Sequence, residues 1–271
     1  MTTQAAPSLQ QKPTTWDVVA PTYAEDVWQW KTYHEEALRE VTLRPDHRVL
    51  DVATGPGTLA LLAAPVVARV DAVDFSPGMV EQVGIYAARA GISNVTPQVM
   101  DASALAFPDA TFDAAFCMFG FFFFPDRAKA FREIHRVLRP GGQIVIATWS
   151  PIERRPLMRI AFEAFAEALP QVPRPGKGEL QEPAECFREM TEAGFTEVST
   201  RLVTSSMRAE SAEDYLTTIE RSAAPIAVMR KMVGEDAWAG MRPTVLAALR
   251  ARLPEGSADL SAEAILTRGR R

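Results

Sequence analysis

The chain has 271 residues, a hydrophobic fraction of 47% and a formal net charge of -5. That length can bury a core as one large domain or as a core with a cap, and the acid excess excludes a general attraction to nucleic acid or to an anionic membrane. Cys117, Cys186, His34, His47 and His135 show neither a disulfide framework nor metal-ligand spacing. No metal and a reduced, cytoplasmic setting are therefore expected.

In chain order, residues 1–13 are polar and contain proline, which predicts a tail without fixed structure. No charged leader and no bilayer-length apolar run is read, so no integral membrane segment is expected. From Trp16 to Val41 aromatic and apolar residues recur at helical spacing, predicting one or two amphipathic helices packed across the main fold. The segment Val49-Leu50-Asp51-Val52-Ala53-Thr54-Gly55-Pro56-Gly57 then reads as an apolar strand ending in an acid and a Gly-x-Gly turn. Leu59 to Ala64 follows as a helix, so the turn opens onto a helix N-terminus with unpaired N–H groups.

A second strand over 69–74 ends in Asp74, and Ser76-Pro77 starts a helix running to about Ala90. The short strand 95–100 contains Pro97, which predicts an edge position. Residues 112–119 form a nearly continuous apolar run, expected where both faces are covered. A helix over 126–138 and the Arg139-Pro140-Gly141-Gly142 turn lead into a strand over 143–149. Five strands alternating with helices predict a doubly wound parallel α/β sheet, with the ligand at the carboxyl ends of its strands. Beyond Trp149 the sequence predicts a helix over 152–169, a Pro- and Gly-rich loop over 170–178, and a helix over 183–193 capped by Gly194. A strand over 195–203, helices over 211–221, 224–233 and 236–251, and a last strand over 260–267 complete the reading.

A Gly-rich turn with an acid at the next strand's end fits two cofactor classes. A dinucleotide would place its pyrophosphate on the turn and its ribose on the acid. Asp51 disfavours this, because a carboxylate there repels phosphate but attracts an ammonium group. With Asp74 accepting from ribose hydroxyls, the pattern suggests a nucleoside bearing a cationic tail, S-adenosylmethionine. The bland reading of both acids, as strand-end carboxylates capping the following turns, stays open.

Taken together, residues 49–57, Ala72-Val73-Asp74-Phe75-Ser76-Pro77-Gly78-Met79, Asp101-Ala102, Leu105-Ala106-Phe107-Pro108-Asp109, Phe112-Asp113 and Arg136 to Gly142 resemble the class I S-adenosylmethionine-dependent methyltransferases. Within them the chain is similar to the small-molecule group of ubiquinone/menaquinone-biosynthesis methyltransferases. The resemblance implies a Rossmann-like sheet of seven strands with the last antiparallel, an N-terminal helical lid and inserted helices. It implies cofactor contacts from Asp51, Ala53, Gly55 and Gly57 around the methionine part, and from Asp74 on the ribose. Phe75, Met79, Asp101 and Ala102 would lie around the adenine, with Met118 and Phe119 as floor.

The expected organisation is a tail (1–13), a lid (14–42), a cofactor-binding core (43–150), a helical substrate cap (151–182), and a C-terminal return to the core with a helical insertion (183–271). The expected function is methyl transfer to a small, aromatic or quinone-like acceptor, with S-adenosyl-L-homocysteine as product. The acceptor atom (O, N or C) is open, as is the choice of monomer or homodimer. No nucleic-acid partner is expected, since basic arms are lacking and phenylalanines stand where base-amino methyltransferases carry an Asn-Pro-Pro-Tyr-type tetrad. The alternatives are an NAD-dependent oxidoreductase and a catalytically silent scaffold of the same fold. Candidate catalytic residues are His34 and Tyr23 in the lid. Tyr23, Phe119, Phe123 and Trp149 are candidate acceptor contacts, each ring equally readable as packing. His47 and His135 read as structural. Glu153 and Arg154, after the fifth strand, read either as contacts to a polar acceptor or as a solvated turn.

Overall fold

The structure is a computed structural model that describes residues 9–169 and 179–271. The loop expected over 170–178 and most of the expected tail lie outside these residues. The N-terminal helices are α1 (Pro13–Val27) and α2 (Lys31–Arg39), joined by a short 3-10 turn. Then come β1 (Arg48–Val52), α3 (Thr58–Ala63), β2 (Arg69–Asp74), α4 (Pro77–Arg89), β3 (Val95–Val99), β4 (Phe112–Met118), α5 (Arg127–Val137) and β5 (Leu138–Trp149). The remainder is α6 (Pro156–Ala168), α7 (Pro183–Glu192), β6 (Thr196–Ala209), α8 (Ala212–Ser222), α9 (Ala224–Val233), α10 (Glu235–Arg250) and β7 (Ala258–Arg270).

The strands form one seven-stranded sheet in the order β3-β2-β1-β4-β5-β7-β6. Neighbours from β3 to β5 pair in parallel, while β7 runs antiparallel to both β5 and β6. The last strand is thus the one that runs against the rest. Pro97 sits on edge strand β3, and the chain reverses its direction of winding between β1 and β4. That reversal opens the crevice at the carboxyl ends of these strands.

Alternate strand residues feed opposite faces. Val49, Val70, Ala114 and Val145 join one apolar layer with Tyr33 of α2, Leu59 of α3 and Leu157 of α6. Leu50, Val73, Ala115 and Ile144 join the other with Phe131 of α5 and Met190 of α7. Sheet coverage on both sides explains the continuous apolar run of β4.

Helix starts follow their caps: Ser76 Oγ accepts from Met79 N (3.1 Å) for α4, and Asp126 Oδ1 accepts from Lys129 N (2.9 Å) for α5. The helix expected over 152–169 breaks at Arg155, where a 3-10 turn over Ile152–Arg154 gives way to α6. Pro156 bars its predecessor from the helical region, and Arg155 has φ -132°. Strand β6 extends six residues past the expected end at 203. Its Thr204, Ser206 and Arg208 keep pairing with β7 through the register ending Ala209↔Ala258, and polar alternation suits an edge strand with one covered face. The turn expected at 139–142 falls within β5, since Leu138 already pairs with Phe112. Gly141, at φ +79°, donates its N–H to Arg271 O (2.9 Å).

Helices α6, α8, α9 and α10 form a layer beside α1. Buried Glu220 of α8 accepts from Trp238 Nε1 and Arg242 Nε of α10, each at 2.8 Å. Among the described residues, no helix is long and apolar enough to cross a membrane.

Candidate active site

The turn after β1 is fixed by its backbone. Ala53, Gly55 and Gly57 all take positive φ (51°, 54° and 91°), so the chain can reverse within a few residues. A Cβ on Gly57 would meet the Val83 side chain at 3.1 Å, so glycine here also lets α4 approach. Asp51 is 1% exposed, and its Oδ2 accepts from Thr54 Oγ1 (2.5 Å) and Ala60 N (3.2 Å). Burial pushes its carboxyl up to about 7, with the charge of Asp74 adding to the shift. Asp74 accepts from Gly55 N and Ser76 N, both at 2.9 Å, so the ends of β1 and β2 are tied through one carboxylate. Burial raises Asp74 to about 6, and Asp17 contributes in the same direction. Neither Asp51 nor Asp74 has a basic partner among the described residues.

These turns open into a cavity of about 230 Å³ at the carboxyl ends of β1, β2 and β4. Of the residues singled out in the sequence, Ala53, Gly55, Asp74, Phe75, Met79, Asp101, Ala102, Met118, Phe119 and Phe123 line it from the sheet side, and Tyr23 and His34 from the N-terminal helices. Three stand outside its wall. Asp51 is turned into its own loop, Gly57 lies behind against α4, and Trp149 stacks on the far side of Phe119 with ring centroids 4.1 Å apart. For Asp51, the strand-end capping geometry is the one observed.

The N-terminal helices close the other side. Trp16 meets Phe123 edge-on at 5.1 Å and Tyr23 at 5.9 Å, and Tyr23 meets Trp30 at 6.3 Å. Asp17 of α1 accepts from Ser76 Oγ (2.6 Å) and Gly78 N (2.9 Å), placing a carboxylate on the start of α4. Gly78 leaves room for this, since a Cβ there would lie 3.0 Å from Asp17 Oδ1 and 3.2 Å from Ala20 Cβ. Val19 and Ala20 of α1 join one small apolar cluster with Met79 of α4 and Ala224 and Ala227 of α9.

His34 is 7% exposed, with Nδ1 2.9 Å from the carbonyl oxygen of Trp30. A carbonyl only accepts, so the proton is on Nδ1 and Nε2 keeps its lone pair. Burial lowers the imidazole to about 4, keeping it neutral. The Tyr23 phenol is pushed well above its ordinary value by burial and then by Asp74, so it remains a hydrogen-bond donor.

Elsewhere, His135 packs edge-on against Phe195 at 5.1 Å, and neither it nor buried His47 lines the cavity. Glu153 and Arg154 are exposed, with Arg154 paired to Glu263 at 2.8 Å; they form a solvated turn, while Arg155 points inward. Sequence reading missed Gln11, Asp17 and Met100 as parts of the site or its support. Trp16 and Trp30 had a signal, as aromatics of the amphipathic segment, but Asp17 had none, because its partner is 61 residues away.

Residues 49–142 match the family model described as "Methyltransferase domain". Over this stretch the chain is similar to the class I S-adenosylmethionine-dependent methyltransferases. It is 37% identical over 109 residues to an uncharacterized methyltransferase, YcgJ, of Bacillus subtilis, covering 40% of this chain and 43% of that one. It is 34% identical over 149 residues to the ubiquinone/menaquinone biosynthesis C-methyltransferase UbiE of Geobacter sp., covering 53% of this chain and 62% of the relative. Against the demethylmenaquinone methyltransferase of Thermus thermophilus identity is 44% over 107 residues, covering 38% and 48% respectively. The chain thus spans about half the length of the curated relatives it matches. The solved YcgJ structure superposes with a TM-score of 0.59 at 21% identity, over 88% of this chain and 97% of that one. The [4+2]-cyclase SpnF gives 0.61 at 21% identity over 97% of both. Both show the same fold, and the second shows that this fold also serves other chemistry.

The residues present fit the cofactor of that domain. A buried carboxylate without a counter-cation, Asp74, faces a cavity whose wall also presents the Gly55 turn, Phe75, Met79, Asp101 and Ala102. Hydroxyls and a cationic tail suit such a lining better than phosphates do.

Proposed function

We propose that the protein transfers a methyl group from S-adenosylmethionine to a small planar acceptor bound between the Phe119 wall and the N-terminal helices. The observation that carries this is the convergence of the Gly55 turn, Asp74 and Asp101-Ala102 with Tyr23 and His34 on one cavity. The cofactor, when bound, supplies a methyl group on a sulfonium, a leaving group that needs no further activation.

The protein's task is then alignment and exclusion of water. In this reading Asp74 holds the ribose hydroxyls, Asp101 the adenine amino group, and Phe75 and Met79 flank the ring. Asp51 acts indirectly, accepting from the Thr54 hydroxyl and the Ala60 N–H and so keeping the loop in the shape that presents Gly55. Phe119 and Phe123 form an apolar wall for the acceptor, and Trp16 and Tyr23 shut the cavity from solvent. His34 accepts the proton of the acceptor's hydroxyl or amine at Nε2 while Trp30 O fixes its ring. Trp149 supports Phe119 from behind and sets the plane of that wall.

Calorimetric titration with S-adenosylhomocysteine, run beside NAD, tests the reading. Micromolar binding of the former alone is expected. Tight NAD binding with no response to the nucleoside would replace it with the oxidoreductase, and binding without turnover of any acceptor in a labelled-methyl screen would leave the silent scaffold.

A further inference from the structure

Arg155 is a buried cation with no counter-ion. It is 7% exposed, its Nε has no hydrogen-bond partner, and no carboxylate among the described residues forms an ion pair with it. Burial depresses its guanidinium to about 10, with the Glu153 carboxylate pulling the other way. A charge left in this state is expensive, and a fold that keeps one has a use for it.

Its surroundings point to a ligand. The guanidinium lies 5.5 Å from the centroid of the Trp149 ring, and Trp30 meets the same ring at 5.3 Å. Trp30 Nε1 is also buried without a partner, as is Ser150 Oγ, the residue after Trp149. Unmatched buried donors are rare in folded proteins, and here two of them border one ring. From the cavity wall the series Phe119, Trp149, Arg155 leads inward. Phe119 is held at φ +59°, a conformation a bulky residue seldom adopts, and the chain has little room to relax beside it. A Cβ on Gly120 would lie 2.6 Å from Ala53 Cβ.

We propose that Arg155, with the indole N–H of Trp30, receives a carboxylate carried by the planar methyl acceptor, which enters when the stacked Phe119 and Trp149 rings turn aside. This rests on the reading of the cavity as a methyl-transfer site and narrows its substrate class to aromatic acids. The guanidinium gives the carboxylate charge-assisted hydrogen bonds, and the buried charge is then neutralised.

The probes are benzoate and its uncharged counterpart benzamide, titrated calorimetrically into protein saturated with S-adenosylhomocysteine. Benzoate is expected to bind tighter by on the order of tenfold. Arg155→Met should erase the preference while leaving S-adenosylhomocysteine affinity within about twofold. Its bare form should melt no lower than the wild type, because an unpaired buried charge is replaced by an apolar chain. Arg155→Lys, which keeps the charge, should retain a preference and covers the case in which the Met variant does not fold. Equal binding of the two probes, silence for both, or a preference that survives in Arg155→Met overturns the proposal. Failure of S-adenosylhomocysteine to bind the wild type sinks only the methyl-transfer reading, since benzoate and benzamide can be compared on the bare protein.

Discussion

On the sheet side of the cavity the ligand-facing groups come from turns that hold themselves; on the lid side they come from segments held by distant parts of the chain. Asp74 is gripped by the N–H groups of Gly55 and Ser76, only 19 and two residues away along the chain. Trp16 and Tyr23 sit where they do because Asp17 reaches Gly78 and Thr22 Oγ1 donates to Arg221 O at 3.0 Å, partners 61 and 199 residues off. The first kind of site survives variation elsewhere in the fold, and the second depends on how α4, α8 and α9 are packed. Cofactor binding and acceptor handling should therefore separate under mutation.

The largest expected effect falls on the lid side. His34→Ala should lower turnover by about 10²–10⁴-fold, the usual worth of a positioned base, with S-adenosylhomocysteine affinity unchanged. Normal turnover at saturating acceptor would take His34 out of the chemistry. On the sheet side Asp74→Ala should do the reverse, weakening S-adenosylhomocysteine by about 1–3 kcal/mol through lost charge-assisted bonds. Calorimetry on the two variants side by side reads the separation directly, and a His34 variant that loses cofactor affinity would break it.

Asp17→Ala tests the hinge between the sides. It removes the carboxylate that caps α4 from outside, so a stability loss of about 0.5–2 kcal/mol is expected in denaturant unfolding. S-adenosylhomocysteine should also dissociate faster in stopped flow, because α1 is then less firmly seated over the cavity. Gly78→Ala should reproduce the faster dissociation by pushing α1 away, since its new Cβ would lie 3.2 Å from Asp17 Cα. A variant pair with wild-type dissociation would show that α1 does not retain the ligand.

The same division governs what could be read before the structure. The strand tips were legible because each carries its own cause: a glycine where φ is positive at 55 and 57, Ser76 before Pro77 at a helix start, Pro97 at an edge. Acidic side chains were harder. Asp51 and Asp74 look alike in sequence, yet Thr54 and Ala60 turn one into the loop, whereas Gly55 and Ser76 hold the other at the cavity. Arg155 was masked by its neighbours. Glu153 and Arg154 read either as acceptor contacts or as a solvated turn, Arg155 beside them was not singled out, and the restriction that Pro156 places on the backbone accompanies its inward turn. Asp17 and the continuation of β6 to Ala209 depend on partners far along the chain, which local periodicity does not report.

The smallest effect is a pH dependence confined to the sheet side. Asp74 is raised to about 6 and Asp51 to about 7, both chiefly by burial, so in the bare protein these carboxyls take up protons as pH falls through those values. Ribose hydroxyls and an ammonium tail favour the ionised forms. Ligand binding must then release protons, and S-adenosylhomocysteine affinity should rise with pH up to about 7.5 and flatten beyond, falling by up to about tenfold per unit between about 7 and 6, where one carboxyl is protonated, and more steeply below, where both are. Melting temperature is a poorer probe. Raised carboxyls make the bare fold bind more protons than the unfolded chain, so their contribution to stability falls as pH rises from about 4 to about 7. Neutral His34, lowered to about 4, binds fewer than the unfolded chain and contributes the opposite slope up to about 6.5. Binding calorimetry isolates the carboxylates, and Asp74→Asn should make the profile less steep below about 6 by removing one of the two protons released, leaving the Asp51 response, moved downward by loss of the Asp74 charge.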